Sequence, residues 1–456
     1  MAVSDNTISD VNATIQATVS LSEQIHTIYM GYNAFEETSR ILKKHLATSC
    51  VFLVADEYTM AAAGNDLQKV FTKNGLFCST HVFPASPRLK GTVENAELFL
   101  PALEKHNAIP IAVGSGVIND LTRYAAFQLN KPFVSFATAA SMDGYASAGA
   151  PLSQQGFKHT IPCRPPQVIL ADPDIIASAP REMAGWGYGD LAGKVPAGAD
   201  WLIADALGIE KIDHAAWALV HEHLPTWLSS PSGVAEGDKN SVCALFAGLV
   251  SAGIAMEIYG SSRPASGADH QIAHLWEMDG LEYEGLPVSH GSCVALGTLS
   301  TLALYEWMLQ QDFCRLNIDN IIQQRKQLPD MEDAIRKLFS SPPIAEKTLI
   351  ETRAKFTEDD VLKDRLKHIK DIWPVLEQKL KEFLIPFDKM EEMFVNAGVV
   401  THPGSVGVDP EYHSKILKKS RFIRRRYTIL DFLEDTGCFD DAVAHVLLKF
   451  KQLNTL

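Results

Sequence analysis

Two histidines stand four residues apart in SGADHQIAHLWE, residues 266–277. On a helix, residues at this spacing share a face about one turn apart. A third histidine, His290, follows in SHGS at the start of the next apolar stretch. Imidazole nitrogens are common metal ligands, so His270, His274 and His290 are candidate ligands of one cation. The segment lacks HExxH, which removes support for a zinc protease.

Asp190 is a carboxylate that could complete this set, and it follows three glycines in GWGYGD, residues 185–190. The glycines would let a loop bend tightly and present the carboxylate at a helix start, although a simple N-cap explains the same pattern. One carboxylate with two imidazoles leaves coordination positions open, as a catalytic cation requires. Zinc, nickel and ferrous iron all accept such ligands. The residues thus predict a metal held by Asp190 and histidines of this group, with His270, His274 and His290 as equal candidates on spacing alone.

A possible nucleotide site is GSGVIND, residues 114–120, which follows a predicted strand and opens a predicted helix. Glycines there let the backbone approach a pyrophosphate, and a helix N-terminus offers N–H groups and a positive dipole end. The third glycine of the usual dinucleotide fingerprint is missing. An ordinary strand–turn–helix corner therefore explains the motif equally well.

Two further elements lie beyond the carboxyl ends of predicted strands, where open α/β sheets bind ligands. Asp56 directly follows the strand 50–55 and could accept hydrogen bonds from ribose hydroxyls, but taken alone it is better explained as a helix N-terminal acid. The small residues TAAS, 138–141, follow another strand and leave room for a cofactor. The agreement of the three elements favours a nucleotide site more than any one of them does.

Short apolar runs alternate with helical patterns over the first third of the chain. Buried strands are predicted at residues 50–55, 80–84, 110–113, 133–136 and 167–171. Predicted helices include residues 94–105, 118–129, 190–207, 215–223, 243–259, 270–278 and 291–310. Strand–helix–strand spacing predicts a parallel sheet. We therefore expect an α/β N-terminal nucleotide-binding domain over residues 1–172, followed by an all-α metal- and substrate-binding domain over residues 173–456.

Two charged segments have simple structural explanations. Residues 330–390 are charged and amphipathic, which predicts a solvated helical hairpin. The basic run over residues 418–426 contains Phe422 and Ile423 and is followed by Tyr427, and this spacing favours a packed helix with a charged face over a nucleic-acid patch.

Length and composition limit the class of protein. A chain of 456 residues predicts two domains. A net charge of −14 makes nucleic acid an unsuitable partner, while a small phosphorylated ligand is still compatible with a local pocket. Seven scattered cysteines without CxxC favour reduced thiols in a cytoplasmic enzyme. The N-terminal segment does not have the pattern of a secretory signal, and no apolar run reaches the ~20 residues that span a bilayer.

Together these motifs resemble the glycerol-1-phosphate dehydrogenases, a family in the dehydroquinate synthase-like and iron-containing alcohol dehydrogenase superfamily. The resemblance spans roughly residues 20–440. It is carried by GSGVINDLTRY (114–124), PFVSFATAASMDGYAS (132–147), GWGYGDLAGK (185–194), SGADHQIAHLWE (266–277), SHGSCVALGT (289–298) and RFIRRRYTILDFLEDTG (421–437). The first and last segments are more similar to the bacterial branch, which is associated with nickel, than to the archaeal branch, which is associated with zinc.

Matched position by position, the resemblance implies roles for individual residues. Those that would contact NAD or NADP are Asp56, Gly116, Val117, Ile118, Asn119, Asp120, Thr138, Ala139, Ala140, Ser141 and Ser147. Asp190, His270 and His290 would bind one divalent metal, nickel or zinc, with iron as a third option. Asp143 and His274 would contact the substrate, and Asp190 would lie near it.

The implied reaction is reduction of dihydroxyacetone phosphate to sn-glycerol 1-phosphate. The nicotinamide would supply hydride and the cation would polarise the carbonyl, while His274 is the candidate for proton relay. Lys158, Lys194 and Arg263 are candidate donors to the substrate phosphate. The expected partner is a small phosphorylated three-carbon substrate, with a homodimer implied by the resemblance and no nucleic-acid or membrane partner.

Three other functions share part of this pattern. A glycerol or other polyol dehydrogenase would use the same cofactor and metal on an unphosphorylated substrate. A dehydroquinate synthase-type lyase would need a glutamate in place of Asp190 and a GGK-type lysine segment where SMDGYAS stands. A non-catalytic homologue would have lost a ligand, yet all three candidate ligands are present. The chain is also longer than the resemblance leads us to expect, mainly over residues 310–390, so an altered lid or interface is a further hypothesis.

Overall fold

The computed structural model describes residues 8–154 and 157–453. Its strands, β1 to β10 in chain order, are Thr27–Met30, Cys50–Asp56, Phe77–Phe83, Ile109–Gly114, Val134–Ala137, Gly149–Gln154, Phe157–Pro162, Val168–Ala171, Glu282–Tyr283 and Leu286–Pro287. Six of them form one parallel sheet in the order β1-β8-β5-β4-β2-β3. The pairs β6–β7 and β9–β10 are antiparallel hairpins. The predicted α/β N-terminal region with a parallel sheet is confirmed.

Helices dominate the chain after the sheet, as predicted. The α-helices, α1 to α24 in chain order, are Ile8–Val19, Ala34–Leu46, Glu57–Thr59, Asn65–Lys73, Val93–Glu97, Leu100–His106, Gly116–Gln128, Pro173–Ser178, Arg181–Ala192, Lys194–Ala206, His214–Trp217, Leu224–Trp227, Pro231–Glu236, Lys239–Tyr259, Ala268–Met278, His290–Met308, Ile318–Gln324, Leu328–Leu338, Pro342–Lys355, Asp359–Phe383, Phe387–Asn396, Pro410–Ser420, Ile429–Asp435 and Phe439–Leu453. Shorter π-helical and 3-10 turns are Met60–Gly64, Gly144–Ala146, Ala218–Glu222, Phe313–Arg315 and Pro403–Val406.

Both faces of the sheet are buried, and strand β2 shows why its sequence is continuously apolar. Val51 and Leu53 point into one hydrophobic cluster, whereas Phe52 and Val54 point into the other. Successive side chains of a strand face opposite sides, so a sheet covered by helices on both faces needs apolar residues at every position. This is the physical basis of the strand prediction.

The chain divides into two compact units. The first consists of Met1–Leu191, Ala218–Ser261 and Asn396–Gly398, and it contains the parallel sheet. The second consists of Ala192–Trp217, Ser262–Val395 and Val399–Leu456. Each unit therefore draws on three stretches of chain, whereas the predicted domains meet at a single boundary after residue 172. The assignment of nucleotide binding to one domain and metal and substrate binding to the other stays a prediction.

Helix α14, Lys239–Tyr259, is long and apolar enough to cross a membrane, but 83% of its most hydrophobic window is buried inside the protein. It belongs to the first unit, where it packs against α1 and α8. Interior packing therefore accounts for its apolar sequence. No disulfide joins any of the seven cysteines, all of which lie in the described part of the chain.

Several local predictions differ from the structure. The strand β1 is missed, because it is an edge strand in which half-buried and buried residues alternate, without the continuous apolar run of the inner strands. The helix predicted over residues 94–105 is two helices, and Pro101 stands at the start of the second. Residues 330–390 form a series of four helices, α18 to α21, rather than one hairpin. The packed helix predicted over residues 418–426 is also wrong, since α22 ends at Ser420 and residues 424–428 are irregular.

The glycine-rich segment before Asp190 was expected to be a bent loop, and this expectation is wrong. Residues 185–190 lie within helix α9, Arg181–Ala192. The glycines serve packing instead of bending. A Cβ at Gly187 would collide with the carbonyl oxygen of Ala140, which follows strand β5 in the same unit. The helix can therefore lie directly against the segment after β5.

Candidate functional site

The second unit holds a cluster of three histidines on two neighbouring helices. His270 and His274 lie on α15, and His290 is the first residue of α16. The ring centroids of His270 lie 5.8 Å from His274 and 5.6 Å from His290, and those of His274 and His290 are 5.8 Å apart. The two helices approach closely because Gly297 has no side chain, and a Cβ there would collide with the carbonyl oxygen of Asp269. The fold thus brings together the three histidines that were predicted from spacing.

Two carboxylates hold two of these imidazoles at Nδ1. Nδ1 of His270 lies 2.5 Å from Oδ2 of Asp269, and Nδ1 of His290 lies 2.7 Å from Oε1 of Glu277. Metal-binding histidines commonly donate one ring N–H to a carboxylate, which fixes the ring and directs the lone pair of the other nitrogen to the metal. The arrangement therefore fits two imidazoles that coordinate through Nε2.

His274 differs from the other two because its partner is a cation. Nη2 of Arg424 donates a hydrogen bond of 3.1 Å to Nδ1 of His274. Since a guanidinium only donates, His274 accepts at Nδ1 and carries its proton on Nε2. Loss of hydration lowers the pKa of His274 well below its usual range, and Arg424 lowers it further, whereas Glu277 opposes the shift. His274 is thus a neutral imidazole with an N–H to donate.

A second possible ligand set in this unit is His274, Glu277 and His290, whose ligand atoms all lie within 4.8 Å of one another. Two contacts disfavour it. Oε1 of Glu277 is already paired with His290, and the positive charge of Arg424 beside His274 repels a metal cation. His270 and His290 are therefore the better pair of nitrogen ligands.

Asp190 belongs to the first unit, where it is fully buried near the C-terminal end of α9. Its Oδ2 accepts a hydrogen bond of 2.9 Å from the backbone N–H of Asp143. Asp143 precedes the short turn Gly144–Ala146 that follows the segment after β5. The structure therefore links two residues that were predicted to act at the substrate.

The predicted nucleotide-binding residues lie together at the carboxyl end of the sheet. Strand β4 ends at Gly114, and α7 begins at Gly116 with Ser115 as its N-cap. Gly114 pairs with Ala137, the last residue of β5, so the segment after β5 lies beside the N-terminus of α7. The hydroxyls of Ser115 and Ser141 are hydrogen-bonded to each other across these two segments.

The two glycines of this corner have different surroundings. A Cβ on Gly114 would come within 2.7 Å of Cβ of Ile118, so close packing requires this glycine. A Cβ on Gly116 would meet nothing nearer than Sδ of Met142 at 3.9 Å, so this position is open to the approach of a ligand. Oδ1 of Asn119 is buried without a hydrogen-bond partner among the described residues. Such an unsatisfied acceptor fits a site whose polar contacts are completed by a ligand.

Some predicted nucleotide contacts already have structural partners. Asp120 pairs with the buried Arg123 at 2.8 Å, and Arg123 also donates 2.8 Å to the carbonyl oxygen of Gly149. The hydroxyl of Ser147 donates to the carbonyl oxygens of Gly144 and Gly149, each at 3.2 Å. These bonds hold the turn that directly follows Asp143. A direct contact of Asp120 or Ser147 with a nucleotide stays a prediction.

Asp56 caps helix α3, which is the simpler of the two explanations that the sequence allowed. Its Oδ1 accepts a 2.7 Å bond from the backbone N–H of Thr59, and Oγ1 of Thr59 accepts a 3.0 Å bond from the backbone N–H of Asp56. The residue lies at the carboxyl end of β2, next to β4 in the sheet. Its contact with a ribose, like the nucleotide contacts of Val117, Ile118, Thr138 and Ala139, stays a prediction.

Comparison with known proteins identifies the family of this chain. The family model described as iron-containing alcohol dehydrogenase matches residues 29–180. A curated relative from Bacillus velezensis, named glycerol-1-phosphate dehydrogenase [NAD(P)+], is 36% identical over 291 residues, which cover 62% of this chain and 74% of the relative. The chain belongs to the glycerol-1-phosphate dehydrogenase family. A further member of that name, from Geobacillus thermodenitrificans, is 27% identical over 438 residues, which cover 93% of this chain and 98% of the relative.

The fold of this glycerol-1-phosphate dehydrogenase family member is also found in solved structures. A glycerol dehydrogenase from Schizosaccharomyces pombe superposes with a TM-score of 0.56 at 15% identity, covering 94% of this chain and 92% of the other. At this identity the likeness concerns the fold alone. The predicted family and fold class are both confirmed.

The three basic side chains that were predicted to bind a phosphate have different surroundings in the structure. The side chain of Lys158 lies outside the described residues. Lys194 is fully buried at the start of α10 in the second unit. Arg263 is fully buried, and its guanidinium donates 2.9 Å bonds to the main-chain oxygens of Tyr427 and Asp200. A guanidinium used in this way joins parts of the second unit, so the structure assigns Arg263 an architectural role.

Arg424 is the residue that sequence reasoning missed. It was placed on the charged face of a helix, whereas the structure places it in an irregular segment beside His274. One signal was available in the sequence. Three consecutive arginines, 424–426, cannot share one face of a helix, because consecutive residues do not face the same way.

Proposed function

We propose that this protein is a metal-dependent dehydrogenase that reduces dihydroxyacetone phosphate to sn-glycerol 1-phosphate with NADH or NADPH, and also catalyses the reverse reaction. The main support for this proposal is the histidine cluster of α15 and α16. Two of its imidazoles are hydrogen-bonded to carboxylates, and the third accepts a hydrogen bond from an arginine. Its support from the comparisons is the name shared by the curated relatives.

The residues proposed to hold one divalent cation are Asp190, His270 and His290. Two imidazoles and a carboxylate form a donor set that nickel, zinc and ferrous iron all accept, and the carboxylate partners at Nδ1 of both histidines support coordination through Nε2. When bound, such a cation supplies Lewis-acid polarisation of a carbonyl group. The likeness to bacterial family members favours nickel.

The proposed role of His274 is to move a proton. Reduction of a ketone creates an alkoxide, which must be protonated before the alcohol can leave. His274 carries a proton on Nε2, because Arg424 donates to Nδ1. A neutral imidazole is suited to give up this proton and to regain one from solvent. Asp143, linked to Asp190 through its backbone N–H, is proposed to position a substrate hydroxyl.

The proposed nucleotide site is the carboxyl edge of the sheet around β4 and β5. The N-terminus of α7 directs N–H groups towards the corner at Gly116, which suits a pyrophosphate. Residues 138–141 provide small side chains beside it, where a nicotinamide ring needs space. The nicotinamide supplies the hydride when bound. We further propose that the protein works as a cytoplasmic homodimer.

A substrate panel tests this function. The purified chain, loaded separately with nickel, zinc or ferrous iron, is assayed with NADH and with NADPH for reduction of dihydroxyacetone phosphate and of dihydroxyacetone. We expect dihydroxyacetone phosphate to be the better substrate by kcat/KM, and full removal of metal to abolish turnover. Preference for dihydroxyacetone would identify a polyol dehydrogenase instead, and turnover that survives complete metal removal would contradict the metal-dependent mechanism.

A further inference from the structure

Arg424 is a cation to which the described residues offer no anionic partner. It lies in the irregular segment between α22 and α23, and its hydrogen bond goes to Nδ1 of His274 at 3.1 Å. No carboxylate in the described part of the chain lies within ion-pair distance of its guanidinium. A guanidinium has five N–H donors, so most of the hydrogen-bonding capacity of Arg424 is available to another group.

The two arginines that follow are used differently. Arg425 is exposed and forms a two-pronged ion pair with Glu351, at 3.0 and 2.9 Å. Arg426 donates to the main-chain oxygens of Ser262 and Ser266 and to the hydroxyl of Ser262. Arg425 is thus neutralised and Arg426 holds the backbone. Arg424 alone of the three faces the histidine cluster.

Arg424 lies close enough to Arg426 for their two positive charges to interact. Burial, together with the charges of Arg263 and Arg424, lowers the pKa of Arg426 to about 9, although Glu210 and Asp269 oppose the shift. Burial also lowers the pKa of Arg424, and Glu351, already paired with Arg425, is the acid that opposes this shift. Arg263 is paired with Glu210 at 3.3 Å, so the charges left unneutralised here by the described residues are those of Arg424 and Arg426. Two such cations in a protein of net charge −14 favour the binding of an anion beside them.

The position of Arg424 matches a short phosphorylated substrate. The imidazole that it contacts lies 5.8 Å, between ring centroids, from each of the other two histidines. In a three-carbon ketone phosphate only a few bonds separate the carbonyl from the phosphorus. A substrate whose carbonyl reacts beside the histidines therefore has its phosphate close by, where a guanidinium can bind two of its oxygens at once.

We propose that Arg424 binds the phosphate group of the substrate and thereby makes the enzyme select a phosphorylated ketone. This inference rests on the proposed function and adds a specificity residue to it. A phosphate group would give Arg424 a negatively charged partner, whereas an unphosphorylated ketone would leave the guanidinium without one. The same guanidinium also donates a hydrogen bond to Nδ1 of His274 and so keeps the proton of that imidazole on Nε2. One residue would thus position both the phosphate of the substrate and the proton donor.

Replacement of Arg424 by glutamine tests the proposal. We expect Arg424→Gln to raise the KM for dihydroxyacetone phosphate by about 10- to 100-fold, the range for loss of hydrogen bonds to a charged group. The KM for dihydroxyacetone and for NADH should stay within about twofold, which a general loss of structure would not allow. Arg424→Lys, which keeps the charge but cannot bind two oxygens in a fork, should recover part of the affinity.

The matched control is Arg425→Gln, since it removes the same charge from the adjacent, exposed position. It should leave the KM for dihydroxyacetone phosphate unchanged. Equal effects of the two variants would mean that net charge, and not a phosphate contact, is responsible. A rise in the KM for NADPH in place of that for dihydroxyacetone phosphate would assign Arg424 to the dinucleotide and overturn the proposal.

A binding measurement separates this inference from the proposed function. Inorganic phosphate should raise the unfolding temperature of the metal-loaded wild type and should have less effect on Arg424→Gln. If the wild type fails to reduce dihydroxyacetone phosphate but still shows this difference, the proposed function is wrong and the anion site stands. If turnover occurs and phosphate stabilises both proteins equally, the anion site is wrong and the function stands.

Discussion

Oε1 of Glu277 lies 2.7 Å from Nδ1 of His290, although the two residues are thirteen positions apart in the sequence, with a β-hairpin between them. Glu277 ends the row His270, His274, Glu277 along one face of α15, and His290 opens the next helix. The packing of α15 against α16 therefore supplies His290, a proposed metal ligand, with a carboxylate partner.

Removal of this carboxylate should weaken metal binding without abolishing it. We expect Glu277→Gln to raise the dissociation constant of the metal by about 10- to 100-fold, because a carboxylate partner orients the imidazole and increases its basicity. The measurement is competition for nickel and for zinc with a chromophoric chelator. Glu282→Gln, on the exposed strand β9, is the matched control and should bind as the wild type does. Complete loss of metal in Glu277→Gln would instead make Glu277 a direct ligand.

The histidines of α15 should separate into two functions. His270→Ala should lose the metal, because it removes one of the two nitrogen ligands. His274→Ala should keep the metal and turn over slowly, because it removes the proton donor; a loss of about 100- to 10,000-fold in kcat is typical of general acid catalysis. Elemental analysis of the metal content, together with kcat, distinguishes a metal ligand from a proton donor. Equal loss of metal from both variants would contradict this division of roles.

Gly116 should tolerate a methyl group in the folded protein but not in the nucleotide complex. A Cβ there has no protein atom nearer than 3.9 Å, so Gly116→Ala should change the free energy of unfolding by less than about 1 kcal/mol. If a pyrophosphate approaches this backbone, the same methyl should weaken NADH binding by roughly tenfold or more. The contrasting variant is Gly114→Ala, which should lose about 1–3 kcal/mol of stability through its clash with Ile118. Unchanged NADH affinity in Gly116→Ala, by fluorescence titration, would move the nucleotide elsewhere.

His413 should make the protein sensitive to acid. It is buried on α22 beside Trp276 and Phe450, with Nε2 2.9 Å from the hydroxyl of Ser300. Burial lowers the pKa of His413 from 6.5 to about 3, and the charge of His402 contributes. The neutral form is thus favoured in the folded state, so its contribution to stability is complete above pH 6.5 and is lost as the pH falls towards 3, at up to about 1.4 kcal/mol per pH unit.

The variant His413→Gln should be less stable at neutral pH but should lose less stability between pH 6.5 and pH 3 than the wild type. Denaturant unfolding at a series of pH values measures this slope. His214→Gln removes an exposed histidine and should leave the slope as it is. A slope that is the same in all three proteins would show that His413 does not titrate with unfolding.

Much of the fold was predictable because it depends on neighbours in the sequence. The apolar runs at β2, β4, β5 and β8 alternate with helical patterns, and this alternation predicts a parallel sheet whatever the distant residues do. The spacing of His270 and His274 likewise follows from the period of a helix. The glycines before Asp190 were misread, because a glycine that allows close packing looks the same in sequence as one that allows a bend.

Local patterns in the sequence were enough to predict the sheet, the helical remainder and a short list of residues able to bind a metal. The contacts between these residues and their partners depend on how the helices pack in the folded chain. Asp269 and Glu277 became partners of His270 and His290, and Arg424, 150 residues away, met His274. Local sterics and hydrophobic periodicity act over a few residues, so they are visible in sequence. The side chains that meet across packed helices depend on the whole core, and no local pattern records them.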